Sequence, residues 1–237
     1  MSHIIWALIP AILWLVAISS RPYFIQSNCA INTSLCIKEG IPALDRLSLG
    51  LEDPIADQLS YWTQNFSGAL GFLIPPLLSI ALYFSKKLTF RLALLLLGSD
   101  LILFLQTIAW NGLLTETAHL ISHRPRPFVY LDPLVRGMEP AHFTSFYSGH
   151  TSFAAASNMA ILLMLIHRRV PLVFCILYGL MAEILIFSTA YFRVIAGRHF
   201  YTDVLTGILA GTLVALTVGY LYRYKSGLKI ASTPMGG

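Results

Sequence analysis

Residues 148–203 read SGHTSFAAASNMAILLMLIHRRVPLVFCILYGLMAEILIFSTAYFRVIAGRHFYTD, and this stretch decides the fold. Two apolar runs, residues 151–166 and 170–191, have the composition and about the length of membrane-crossing helices. Arg168 and Arg169 separate them. A chain that crosses twice with so short a turn returns to the face it left. His150, before the first run, and Arg193, after the second, are 43 positions apart and therefore meet on one face. His199 and Asp203 follow four apart, so they share one side of a helix entering a further apolar run. Arg126 arrives at the same face from upstream.

The rest of the chain extends this pattern. Of 237 residues, 56% are apolar and only 11% charged, against roughly 25% charged in soluble domains. Apolar runs at residues 4–20, 67–84, 88–110, 151–166, 170–191 and 204–222 predict six spans, leaving no room for a soluble domain. The expected architecture is an all-α integral membrane protein, a single six-helix domain over residues 1–237. The formal charge of +5 marks topology rather than a nucleic-acid partner. Lys86, Lys87, Arg91, Arg168, Arg169, Arg223, Lys225 and Lys229 fall in connections without Asp or Glu. The positive-inside rule makes those connections cytoplasmic, with both termini. The face bearing His150 and Arg193 is then external.

Residues 1–20 compete between a retained helix and a cleaved signal peptide. No Lys or Arg precedes the apolar run, which favours the retained helix. The exterior loop, residues 21–66, contains Leu47, Leu51, Ile55, Leu59 and Trp62 at helical spacing, with Asp53-Pro54 as N-cap and first turn. This predicts a helix lying in the membrane interface or packed on the protein, with Asp57 and Gln58 facing water. Cys29 and Cys36 share this oxidising side, free to pair or to remain thiols. Cys175 reads as a small core residue. Pro75-Pro76 should kink the second span. Asp100 and Glu183, near mid-span, are expected to be neutral and hydrogen-bonded, and the basic tail after Arg223 to be disordered.

The clustered polar residues supply what phosphoryl transfer needs: cations for the phosphate, a nucleophile, and an acid for the leaving group. Asp203 can accept the Nδ1–H of His199 and leave Nε2 as nucleophile. Arg126 and Arg193 can chelate phosphate oxygens. Ser148 and Gly149 place backbone N–H groups at a helix N-terminus, a natural anion site. His150 can protonate the leaving oxygen. Zinc on His150, His199 and Asp203 is a competing arrangement, but the interleaved arginines suit an anion better than a dication.

Arg126-Pro127, Tyr147-Ser148-Gly149-His150 and Arg193-x5-His199-x3-Asp203 resemble the three motifs of the type 2 phosphatidic acid phosphatase (PAP2) superfamily, over residues 67–222. The wording Arg-Pro-Arg-Pro-Phe-Val at 124–129 looks like bacterial membrane members. The resemblance implies metal-independent hydrolysis of lipid phosphates or diphosphates, without a cofactor, through a phosphohistidine. Carried over by position, His199 is nucleophile, Asp203 its orienter and His150 the acid. Arg126, Arg193, Ser148 and Gly149 bind phosphate. Three positions depart from the motifs. His119 stands where the family has lysine, so either Arg124 or Arg198 compensates or His119 works protonated. Tyr147 replaces a proline and Phe192 a serine.

The expected protein is a lipid phosphatase of a bacterial inner membrane with a periplasmic site. A lipid-to-lipid phosphotransferase using the same phosphohistidine and a non-catalytic lipid-phosphate binding or carrier protein are the alternatives. Phosphatidic acid, phosphatidylglycerol phosphate, polyprenyl diphosphate and lipid A phosphate all fit the motifs.

Overall fold

The computed structural model describes residues 2–25, 29 and 36–226. Six long helices carry the fold: α1 Ser2–Phe24, α2 Pro54–Phe84, α3 Phe90–Ser122, α4 Gly149–His167, α5 Leu172–Ile195 and α6 Tyr201–Ser226. All six are long and apolar enough to cross a membrane. The protein is an all-α integral membrane bundle. Apolar side chains cover much of the outside, while the interior is closed by small residues and paired polar groups. The predicted basic tail lies outside the described residues.

Every helix is longer than its apolar run, because backbone hydrogen bonding continues past the first polar side chain. The largest difference is at α2. The interfacial helix expected over the fifties and low sixties is not a separate element but the first turns of α2. Asp53 caps it, accepting from the N–H groups of Ile55 at 2.8 Å and Ala56 at 3.1 Å. With 31 residues, α2 is about 46 Å long, well beyond a hydrocarbon core of roughly 30 Å. Its N-terminal turns therefore reach the site end of the bundle. Leu47, Ile55, Leu59 and Trp62 face outward, whereas Leu51 packs against Ala190, Val194 and Val204, so only one residue of the stripe packs on the protein. Asp57 does not face water: it pairs with Arg193 and Arg198. Pro75 and Pro76 sit within the helix, which continues to Phe84.

Helices α4 and α6 form the closest pair, and their contact assembles the site. Gly207 and Gly211 on α6 lie against the backbone carbonyls of Ser148 and Ser152 on α4. A β-carbon at either position would collide with backbone, so only glycine permits this approach. Hydrogen bonds join the other helices. Asn158 on α4 donates to Ser67 Oγ on α2 at 3.0 Å and accepts from the Tyr178 hydroxyl on α5 at 2.9 Å. Asn111 on α3 donates to Ser152 Oγ on α4 at 3.2 Å.

Asp100 is hydrogen-bonded, as expected from sequence, but its partner is an arginine. Arg168, from the turn between α4 and α5, reaches it with two nitrogens at 2.6 and 3.1 Å. This pair locks the end of the bundle opposite the site. Glu183 also differs: it lies on the exposed face of α5, with no hydrogen bond among the described residues. Cys175 is a buried free thiol, as its place in an apolar run suggests. Cys29 and Cys36 form a disulfide at the site end, where Cys29 packs with Ile25, Phe128 and Phe143. Denatured, unreduced protein should therefore titrate one of its three cysteines, and reduced protein all three. Three reactive thiols without reductant would show the bridge absent.

Candidate active site

Five segments meet at one end of the bundle: the start of α2, the loop between α3 and α4, the start of α4, the end of α5 with the following turn, and the start of α6. Gly197 makes that last turn possible. Its φ is +66°, and the carbonyl oxygen of Leu51 occupies the place of a β-carbon. The turn delivers His199 immediately before α6, under the 51–53 segment, where the Asp53 N–H donates to the Ile195 carbonyl at 3.2 Å.

His199 is 1% exposed. Its Nδ1 lies 2.7 Å from the backbone carbonyl of Ser145, so this nitrogen carries the proton and donates it. A tautomer so fixed leaves Nε2 with a free lone pair. Among the described residues, Nε2 makes no hydrogen bond. Burial first, then the charges of Arg193 and Arg126, hold the imidazole well below the usual histidine range, with the Ser145 carbonyl opposing the shift. The ring is thus neutral at pH 7, the state a nucleophile requires.

Sequence reasoning placed Asp203 on Nδ1. The structure puts it one step back. Asp203 Oδ2 is 3.8 Å from Nδ1, beyond hydrogen-bonding distance. That oxygen accepts the Ser145 hydroxyl at 2.6 Å and the Phe200 N–H at 2.9 Å. Oδ1 accepts from Arg124 at 2.5 Å. Asp203 therefore holds Ser145, and the Ser145 carbonyl holds His199. Nothing in the spacing of His199 and Asp203 signals this relay, because Ser145 is 54 positions from His199.

Arg124, expected among the phosphate ligands, is committed elsewhere. Besides Asp203 it donates to Thr202 Oγ1 at 2.9 Å and Asp45 Oδ2 at 2.7 Å, and it lies over the Phe200 ring at 4.2 Å. Asp45 is fully buried and also accepts the Thr202 N–H at 2.9 Å. It thereby caps the start of α6 from the segment between α1 and α2.

Three other arginines converge on the site. Arg193 is 2% exposed; it donates to Asp57 Oδ1 at 2.6 Å and Ser60 Oγ at 3.3 Å. Arg198 reaches the other Asp57 oxygen at 2.8 Å. Arg126 donates to Thr144 Oγ1 at 3.0 Å. The buried Nε groups of Arg126 and Arg193, with Nε2 of His150, have no hydrogen-bond partner among the described residues. Three guanidiniums against one carboxylate, Asp57, with unmatched donors, make an anion site. His150 lies within electrostatic reach of Arg193, His199, Arg126 and Arg198. The Tyr61 ring, edge-on at 4.5 Å, fixes its plane.

Ser148 is the N-cap of α4, with its hydroxyl on Thr151 Oγ1 at 2.9 Å. Its N–H donates to the Asp203 carbonyl at 3.1 Å, so it is not the free donor expected from sequence. The N–H groups of Gly149 and His150 open the helix and remain for an anion. His119 is buried, with Nε2 at 3.0 Å from the Tyr147 carbonyl. Its Nδ1 lies 3.5 Å from Arg21, which grips Glu116 at 2.7 and 2.5 Å. His119 thus braces the backbone before Ser148 and ties it, through Arg21, to α1. Asp45, Asp57, Ser60, Ser145, Arg21 and Glu116 were missed by motif reading. For the four charged ones the signal is that charged side chains are scarce in such a chain and need partners; Ser60 and Ser145 carry none.

The model of the PAP2 superfamily matches residues 100–226. No curated protein and no solved structure matches the chain.

Proposed function

From the premise that the chain belongs to the PAP2 superfamily, whose members are phosphatases, we propose that it hydrolyses a lipid phosphate or diphosphate monoester without a metal, through a phosphohistidine on His199. The observation that carries this reading is a neutral imidazole, pinned at Nδ1 by the Ser145 carbonyl, beside arginines whose Nε groups are unmatched.

The phosphoryl group seats on Arg126 and Arg193 and on the N–H groups of Gly149 and His150. His199 Nε2 attacks phosphorus; the N–P bond forms as the ester P–O bond breaks, and His150 gives its proton to the leaving oxygen. Positive charge then develops on the imidazole, and Asp203, 3.8 Å away, stabilises it through space. Water next attacks phosphorus while His150 takes its proton. The N–P bond breaks and phosphate leaves. Asp203 and Ser145 act as positioning residues.

The distribution of charge supports a membrane placement. Lys86, Lys87, Arg91, Arg168 and Arg169 flank the end opposite the site, and the disulfide lies at the site end. Both support a cytoplasmic opposite end and a periplasmic site in a bacterial inner membrane. Purified protein should release inorganic phosphate from at least one of phosphatidic acid, phosphatidylglycerol phosphate, polyprenyl diphosphate and lipid A phosphate, equally well with EDTA. Phosphate transfer only when a lipid acceptor is added would indicate the phosphotransferase. Tight phosphate binding with no turnover on any of the four would sink both.

A further inference from the structure

Five carboxyl groups stand within the six long helices: Asp57, Asp100, Glu116, Glu183 and Asp203. Four are answered by an arginine of the same chain: Asp57 by Arg193, Asp100 by Arg168, Glu116 by Arg21 and Asp203 by Arg124. Glu183 has no ion pair or hydrogen bond among the described residues, and it is exposed on the outside of the bundle. Within the 24 residues of α5 it lies about 17 Å from either end at 1.5 Å per residue. That is the middle of a hydrocarbon layer roughly 30 Å thick. A carboxyl facing lipid at this depth has no water to bond, and such groups are costly unless another polar group meets them. The partner of Glu183 comes from outside the chain.

The surface around Glu183 narrows what that partner is. Glu183 shares one side of α5 with Gly179, one turn away, and with Ile176 and Phe187. Ile176 and Phe187 are 53% and 55% exposed. Nothing lies within 4 Å of the place where a β-carbon of Gly179 would stand, so the helix carries an open notch beside the carboxyl. Small residues of this kind let a second helix approach closely enough for polar side chains to bond across. Every Lys, Arg and His of the six helices stands in an end turn. A second copy in the same membrane orientation holds each residue at its own depth. At the depth of Glu183 it therefore presents no cation, only its own Glu183. That suffices, because a carboxyl is self-complementary: its O–H donates and its carbonyl oxygen accepts.

We propose that the protein forms a parallel homodimer through α5, in which the two Glu183 carboxyls hydrogen-bond to each other and the helices cross at Gly179. The twofold axis runs along the membrane normal, so one patch meets its own copy. Neither active site borrows a residue from the other subunit.

Full-length protein labelled with donor or acceptor is reconstituted in phosphatidylcholine vesicles, and energy transfer is followed as lipid is added. Wild type should dimerise. Glu183→Leu should need about tenfold more protein per lipid for half dimerisation, and Gly179→Leu, which fills the notch, about as much. Glu183→Gln should stay near wild type, because an amide also pairs with its own kind. Cross-linking reads the same face with Glu183 intact, and decides alone should a variant unfold. In a Cys175→Ser background, Ile176→Cys should form an intermolecular disulfide on oxidation, and Leu177→Cys, about a quarter-turn away, should not. Cross-linking at Leu177 and not at Ile176, or Glu183→Leu dimerising as wild type does, overturns the proposal. A wild type that stays monomeric at every ratio also overturns it, and leaves Glu183 to a different membrane protein.

Discussion

His199→Ala should lower phosphate release by about 10⁴-fold or more, because it removes the atom proposed to bond to phosphorus. The side chain is buried and fixed through one nitrogen, so no neighbour takes its place. His150, the proposed acid, starts α4 beside Tyr61. Phosphate binding should survive the substitution, since Arg126, Arg193 and the start of α4 are untouched. Turnover within tenfold of wild type on every lipid phosphate tried would remove His199 from the mechanism. Loss of turnover together with loss of binding would point to damage beyond the nucleophile.

The second large effect is expected at Asp203. Asp203→Ala strips acceptors from Arg124, from the Ser145 hydroxyl and from the Phe200 N–H at once. Breaking such a buried pair costs about 3–5 kcal/mol of stability. Catalysis should fall about 10²- to 10³-fold, as Ser145 loosens and the charge opposite the imidazole disappears. Ser145→Ala separates the two contributions. It keeps the carbonyl on His199 but frees it from Asp203, and should lower stability by about 1 kcal/mol and kcat by about tenfold. Were Asp203 bonded directly to the imidazole, Ser145→Ala would leave both stability and rate unchanged. Thermal unfolding and kcat of the two variants decide between these arrangements.

How much was legible in the sequence differs between these two residues. Apolar runs give the six crossings because the bilayer demands them, and crossing number alone brings Arg126, His150, Arg193 and His199 to one end. Helix ends were not legible in the same way. The interfacial helix merged with α2 because hydropathy falls where the helix leaves the membrane, while its backbone ladder continues. Side-chain pairings across long separations were not legible either. Asp57 and Arg193 are 136 positions apart, and Arg124 and Asp45 are 79 apart. No periodicity links them. What does link them is the cost of a lone charge in such a protein, which identifies that a partner exists and not which one.

His119 shows the same limit from the other direction. As a departure from the family pattern it invited three substitutes for the missing lysine: Arg124, Arg198, which pairs with Asp57, or a protonated His119. The structure gives Arg124 to Asp203 and Asp45. It places His119 against the Tyr147 carbonyl and the Arg21–Glu116 pair. The position braces the backbone before Ser148, and the cations whose charge acts most on His199 are Arg193 and Arg126.

The proposed covalent chemistry takes place at one nitrogen, Nε2 of His199. Wild-type protein mixed with ³²P-labelled lipid phosphate and quenched with alkali within a turnover should carry acid-labile, alkali-stable label. Peptide mapping should place it on His199, and His199→Ala should carry none. Label on another residue, or steady turnover with no labelled protein at any quench time, would contradict the account.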